Sequence, residues 1–289
     1  MTLRLVIALL ASATVLTPAA AAVLPAEPQP EWNRPAEPFR IAGNLYYVGT
    51  STLGAYLLTD PSGHVLIDGA MPQSADLIAA NIRRLGFRVE DVKILLNNHA
   101  HLDHAGGLAR LKSLSGARLF ASAADRPALE SGTVAYRDDY WFFPPVAVDE
   151  VVTDGEIVRL GALSLTAHLT PGHTRGCTSW TTRVIERGRP LDVIFACSLT
   201  VAGQALVNAP SYPQAAADFE ASFARLRRLR ADIFLGFHAN QFDLESKKAG
   251  LASDPFAFVD PAELAAQVER AEAGFRRELE RQRSSVAGE

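Results

Sequence analysis

Apolar and polar positions divide the chain into short strand-like runs, each followed by a turn or a helix. NLYYVG (44–49), GAYLLTD (54–60) and HVLIDGA (64–70) alternate apolar with small or polar residues as strands do. Pro61, Ser62 and Gly63 make the turn before the third run, which places His64 in a tight hairpin as an exposed residue. From Asp76 to Leu85 the positions Leu77, Ile78, Ile82 and Leu85 keep helical spacing and stop at Gly86. VKILLNN (92–98) is a continuous apolar run, the pattern of a strand buried on both faces. A helix is predicted from Leu108 to Leu114, a strand at ARLFAS (117–122) and a short helix from Pro127 to Glu130. Tyr136 to Pro145, YRDDYWFFPP, has neither period and reads as a loop that folds onto the core or walls a pocket.

The second half repeats the scheme. Strands are predicted at Glu156 to Leu160, Leu163 to His168, Thr178 to Val184 and Val193 to Cys197, then a helix from Pro213 to Arg230 with Phe219, Phe223, Leu226 and Leu229 on one face. The strand ADIFLGF (231–237) and a charged helix from Pro261 to Arg283 complete it. Strands followed by helix, twice over, predict an α/β domain in which two sheets pack face to face with helices outside.

Composition narrows this picture. At 289 residues and 48% hydrophobic content, the chain can bury the core of one large domain. A net charge of -4 provides no footprint for nucleic acid, and Arg225, Arg227, Arg228 and Arg230 read as the solvated face of a helix. The opening MTLRLVIALLASATVLTPAAAAV sets Arg4 before an apolar run and ends in small residues, Ala20 and Ala22, before Val23. It reads as a signal peptide over residues 1–22, exporting a single domain, 23–289, to the periplasm with no membrane attachment. The alternative is an uncleaved anchor, since the run approaches the roughly 18 to 20 residues that span a bilayer. Pro18 and the alanine-rich end favour cleavage. Export admits a disulfide between Cys177 and Cys197, which a strand, a turn and a second strand separate; two separate buried thiols are the other possibility.

The candidate chemistry is concentrated in NNHAHLDHAGG, Asn97 to Gly107, with three of the seven histidines. His99 and His101 alternate on an extended segment and share one side, as two imidazoles on one ion require. Asp103 and His104 follow on the turn into the next helix and can serve a neighbouring ion. His173, after Pro171 and Gly172, and His238, at the end of IFLGFH, also stand at strand ends, so sheets lying side by side would bring six ligands to one edge. His168 is mid-strand and reads as a core or supporting residue.

HAHLDH, with His173 in PGHTRG and His238 in GFHAN, resembles the metallo-β-lactamase superfamily. WNRPAEPFRIAGNLYYVGT (32–50) and FACSLTVAG (195–203) resemble, more narrowly, the third subclass of class B β-lactamases. That resemblance implies a four-layer αββα sandwich of two mixed sheets flanked by helices, with two Zn2+ ions at one edge. His99, His101 and His173 match the first zinc site, and Asp103, His104 and His238 the second. Thioester hydrolases and lactonases of the superfamily usually place a bridging Asp where Ser198 stands here. By resemblance Ser198 is not a ligand and, with Thr200, binds the substrate carboxylate. A shift of one residue would make Cys197 a ligand, but a bridge to Cys177 leaves its sulfur poorly suited to zinc and His104 fills that role. Asp68, in VLIDGA, resembles a position that supports the ligands from behind; a plain Asp-Gly turn is the alternative.

The implied activity is a periplasmic, zinc-dependent β-lactamase that acts as a monomer on small-molecule penicillins, cephalosporins and carbapenems. Zinc lowers the pKa of bound water to about 7, and Asp103 is the catalytic group that orients it. Another zinc hydrolase, a lactonase or glyoxalase-like thioesterase, is the second expectation; export counts against it because glutathione thioesters are intracellular. A metal-dependent binding protein is the third.

Overall fold

The first half of the chain folds as β1 (Phe39–Ala42), β2 (Leu45–Tyr47), β3 (Tyr56–Asp60), β4 (Gly63–Ile67), α1 (Ala75–Arg84), β5 (Val92–Leu96), α2 (Leu102–Ala105), α3 (Leu108–Ser115), β6 (Arg118–Ser122), α4 (Arg126–Ser131) and β7 (Glu150–Val152). The second half adds β8 (Ile157–Leu160), β9 (Leu163–Leu169), β10 (Thr178–Glu186), β11 (Arg189–Phe195), α5 (Ala215–Leu226), β12 (Ile233–Leu235), α6 (Leu244–Gly250) and α7 (Glu263–Ala287). This computed structural model describes residues 29–135 and 142–287. The expected signal over residues 1–22 and the part of the aromatic segment at residues 136–141 lie outside the described residues.

The seven-stranded sheet runs β1 to β7 in chain order. It is antiparallel from β1 to β4, joined by tight turns except for the loop of residues 48–55 between β2 and β3, and parallel from β4 to β7, where helices cross over. The five-stranded sheet has the order β12-β11-β10-β9-β8, with β12 parallel to β11 after the α5 crossover and the other pairs antiparallel. Both sheets are therefore mixed.

The two-residue period sorts side chains between two cores. On β3, Tyr56 and Leu58 join Trp180 and Phe195 between the sheets, whereas Leu57 joins Ile78 and Ile82 of α1 and Leu108 and Leu111 of α3. β5 does the same with Ile94 and Leu96 against Leu95. On the far side α5 and α7 pack together through Phe275, whose ring lies 5.4 Å from Phe219 and 5.7 Å from Phe223. Each such side chain contributes about 1.5 to 3 kcal/mol of burial. The layers are helix, sheet, sheet, helix, as expected.

Several local expectations change. β1 and β7, which the hydrophobic pattern does not single out, are the two edge strands of the larger sheet and only 4 and 3 residues long. His64 is not an exposed turn residue: it pairs with Thr59 and Val92 inside β4 and is buried against the Phe87 ring, 5.1 Å away. Gly63, at φ +128°, closes the turn one residue earlier, and tertiary cover buries the next side chain. β5 is open on one side at its start, where Lys93 is exposed. α5 ends at Leu226, so Arg227, Arg228 and Arg230 lie beyond it, and Arg225 and Arg227 pair with Asp154 and Glu272 rather than forming a bare solvated face.

Candidate metal centre

Every expected ligand follows the C-terminal end of a strand. β5 leads into His99, His101, Asp103 and His104, β9 into His173 and β12 into His238, and the sheets bring all of these ends to one edge. The edges are fastened together: Thr178 N donates to Asn98 O at 2.7 Å, and the Trp180 indole donates to Asn97 O at 3.3 Å. His238 forms an isolated bridge with Leu53, in the loop between β2 and β3.

His99, His101 and His173 form one half, with a ring nitrogen of each within 4.8 Å of the others. Tautomers follow from the partners. His173 Nδ1 faces the Thr200 carbonyl at 2.7 Å, and a carbonyl only accepts, so Nδ1 carries the proton and Nε2 keeps its lone pair. His99 Nδ1 likewise donates to Asn98 Oδ1, leaving its buried Nε2 with no hydrogen-bond partner among the described residues. Burial, reinforced by His104, His173 and His101, keeps His99 well below the usual imidazole pKa and therefore neutral. A buried nitrogen lone pair beside two further imidazoles is a donor set that fits a divalent ion.

Asp103, His104 and His238 form the other half, also within 4.8 Å. Asp103 Oδ2 lies 3.3 Å from His104 Nε2 and 3.2 Å from His238 Nε2. Burial opposes charge on Asp103, but His104 and His238 outweigh it and hold the carboxyl well below its ordinary range. Burial also opposes charge on His104, and the carboxylates of Asp103 and Asp68 override it, raising that imidazole to about 10. The two halves touch, the His99 and His104 ring centres being 4.0 Å apart.

Asp68 is a supporting residue and not a plain turn. Its Oδ2 accepts from His104 Nδ1 at 3.0 Å, and its Oδ1 from Asn98 N at 2.8 Å and Asn97 Nδ2 at 3.3 Å. It does so from a left-handed backbone, φ +62°, which Asp and Asn tolerate best among residues other than glycine. The Gly-Gly that closes the motif has a packing reason. A Cβ on Gly107 would stand 2.2 Å from Gly69 O, so the α2–α3 junction seats directly on the Asp68 loop.

Ser198 and Thr200 sit at the mouth, after β11, with their hydroxyls 3.1 Å apart. With Trp32, Val134, His101, Asp103, His173 and His238 they line a cavity of about 330 Å³. Cys177 and Cys197 are bridged, their Cα atoms 5.8 Å apart, tying the start of β10 to the end of β11 just before Ser198. Cys197 Sγ is 3.7 Å from His99 Nδ1, but both sulfurs are committed to the bridge. His168 stays out of the site and bonds Thr181 Oγ1 at 2.8 Å.

The sequence pattern does not reveal Asp125. It is 1% exposed, and its carboxylate accepts from Ala100 N, Thr174 Oγ1 and Gly176 N, which lie 25, 49 and 51 residues away in the chain. Burial pushes it up to about 6 against these three bonds. Its one local signal is an aspartate directly before the Arg-Pro that opens α4, which by itself reads as a helix cap.

Comparison with known proteins agrees with this geometry. The sequence pattern of the metallo-beta-lactamase superfamily matches residues 55–238. BJP-1, a subclass B3 metallo-β-lactamase of Bradyrhizobium japonicum, superposes with a TM-score of 0.85 at 40% identity, over 89% of this chain and 98% of that one. A Cronobacter sakazakii metallo-β-lactamase described by its HARLDQ motif superposes at 0.84 with 42% identity, over 87% and 97%. Where that motif reads HARLDQ, residues 99–104 here read HAHLDH. A hydroxyacylglutathione hydrolase of Rhodopseudomonas palustris is 29% identical over 75% of this chain and 72% of its own length.

Proposed function

The chain belongs to the metallo-β-lactamase superfamily, and from that premise we propose that it is a zinc-dependent β-lactamase of the subclass B3 kind, opening the amide of penicillins, cephalosporins and carbapenems and so conferring resistance to them. The observation that carries this reading is the pairing of a three-histidine half with an Asp-His-His half beneath a mouth bearing the Ser198 and Thr200 hydroxyls. His99, His101 and His173 would hold one zinc, and Asp103, His104 and His238 a second. Bound there, zinc would make a water acidic enough to ionise near pH 7 and would polarise a carbonyl.

The protein's own groups do the rest. Asp103 is the catalytic carboxylate: held ionised beside His104 and His238, it offers an acceptor that orients the attacking water. Ser198 Oγ and Thr200 Oγ1 donate to the substrate carboxylate, and Trp32 and Val134 are the apolar walls that turn the ring toward the site. The protein works as a periplasmic monomer, exported by residues 1–22 as a single domain, 23–289, free of membrane and nucleic acid. The bridge between Cys177 and Cys197 supports an oxidising compartment.

Purified, zinc-loaded protein is expected to open a chromogenic cephalosporin, to lose that activity with a chelator and to keep it with clavulanate, which acylates a serine that this site does not use. A thioesterase is the second reading, favoured by the 29% identity to a hydroxyacylglutathione hydrolase. Thioester turnover without cephalosporin opening would establish it instead. His238→Ala should bind fewer than two zinc equivalents by elemental analysis; an unchanged count removes His238 from the ligands.

A further inference from the structure

Asp125 stands at the start of α4, where an aspartate normally caps its own helix, yet its side chain makes no bond to that helix. Oδ2 instead accepts from Ala100 N at 3.0 Å and Thr174 Oγ1 at 2.9 Å, and Oδ1 from Gly176 N at 3.0 Å. Those donors are two backbone amides and a hydroxyl, none of them charged. A buried carboxylate held this way costs stability, so a packing role alone would be served better by a neutral side chain.

The placement of its partners is specific. Ala100 lies between His99 and His101, and Thr174 follows His173, so Asp125 grips the neighbour of each histidine in the three-histidine half. The loops come from different sheets, one after β5 and the other between β9 and β10. A second contact closes the clamp: Ser122 Oγ donates to Gly176 O at 2.8 Å and accepts from Asp125 N at 3.3 Å. The fit admits only glycine at residue 176, where a Cβ would stand 2.1 Å from Ser122 Oγ and 2.5 Å from Asp125 Cγ.

The other half is supported differently. Asp68 bonds His104 directly and also holds Asn98 N. In the three-histidine half the Nδ1 atoms of His99 and His173 face an amide oxygen and a backbone carbonyl. From this we infer that Asp125 is the positioning residue of the three-histidine half, clamping the loops of both sheets so that His99, His101 and His173 converge on one metal ion. The inference rests on the metal-site reading above, and it assigns one buried carboxylate to each half: Asp68 through a ring, Asp125 through the residues that flank the rings.

The test uses the full chain in a His238→Ala background, which removes one ligand of the other half and leaves the three-histidine half to bind zinc. A chelator-competition titration gives the affinity of the remaining equivalent, with urea denaturation of the metal-free protein alongside. Adding Asp125→Asn is expected to weaken that equivalent 10- to 100-fold, the range found when outer partners of metal ligands are removed. Thr174→Val, which removes one donor and keeps the shape, should weaken it less and serves if the Asn variant does not fold. In otherwise unmodified protein, Asp125→Asn should weaken one of two equivalents and leave the other within about twofold. Equal weakening of both, or a change in urea midpoint with affinity intact, would make Asp125 a structural residue only and overturn the inference. Failure of the unmodified protein to bind zinc would overturn the metal-site reading, and the inference with it.

Discussion

Replacing Asp68 with asparagine should disable His104 as a metal ligand while leaving the chain fold in place. Asn keeps the left-handed φ of +62° at little cost, and its size matches, so the perturbation is confined to the hydrogen bonds. With the amide oxygen on Asn98 N, the NH2 group faces His104 Nδ1, which must then accept. The ring then gives up its Nδ1 proton and keeps the one on Nε2, the atom that faces Asp103 and would take the metal. With the amide turned the other way, NH2 meets the Asn98 N–H, donor against donor. Either orientation loses one good bond, and the bond to His104 is charge-assisted, worth about 1.5 to 3 kcal/mol. Metal-free protein should therefore unfold at lower urea by an amount equivalent to about 2 to 3 kcal/mol, and the affinity of one zinc equivalent should fall 10- to 100-fold. Urea denaturation and chelator-competition titration measure the two effects. A variant that keeps both affinities and its full stability would show that Asp68 does not set the tautomer of His104.

Three further outcomes follow from the same geometry. His104, raised to about 10, keeps a proton at pH 7 that zinc must displace, which costs about 4 kcal/mol of apparent affinity at about 1.4 per pH unit. Calorimetry in buffers of different ionisation heat should show at least one proton released per chain, and heats independent of buffer would refute it. Because that pKa is raised, the charged ring's contribution to metal-free stability is present below its unfolded pKa of about 6.5 and is lost as pH rises through about 10; urea midpoints across that window check the sign. Gly107→Ala, with its Cβ 2.2 Å from Gly69 O, should destabilise by about 1 to 3 kcal/mol by forcing α3 off the Asp68 loop; an unchanged urea midpoint would refute the close approach. Removing the bridge with Cys177→Ser and Cys197→Ser opens a 20-residue loop and should cost about 3 kcal/mol, visible as a lower urea midpoint matched by adding reductant to the unmodified protein.

The parts of the site legible in the sequence are those whose partners are close in the chain or whose position is set by a strand end. His99, His101, Asp103 and His104 fall within six consecutive positions and declare a metal motif with no knowledge of the fold. His173 and His238 could be assigned because each stands just past the end of a strand, β9 and β12, and a histidine in that place already has a location at the sheet's edge. His64 was misplaced by the same kind of reasoning, since a turn signal says where the backbone reverses but not what covers the following residue, here Phe87. β1 and β7 carry too few residues for a period to show, and edge pairing decides them.

Asp125 marks where local reasoning ends, and electrostatics explains the difference between the two halves. Asp68 and Asp103 face the two different ring nitrogens of the charged His104, so the half they build carries its own countercharge and its ligands advertise themselves as a charged cluster. In the three-histidine half burial keeps His99 neutral, and a neutral ring has no charge with which to hold its neighbours. This half is held instead by a group that bonds the backbone amides of residues 100 and 176 and the Thr174 hydroxyl, and no ring at all. Such a group has no reason to lie near the histidines in sequence. Its only requirement is a strand end on the same edge, which β6 supplies between β5 and β7.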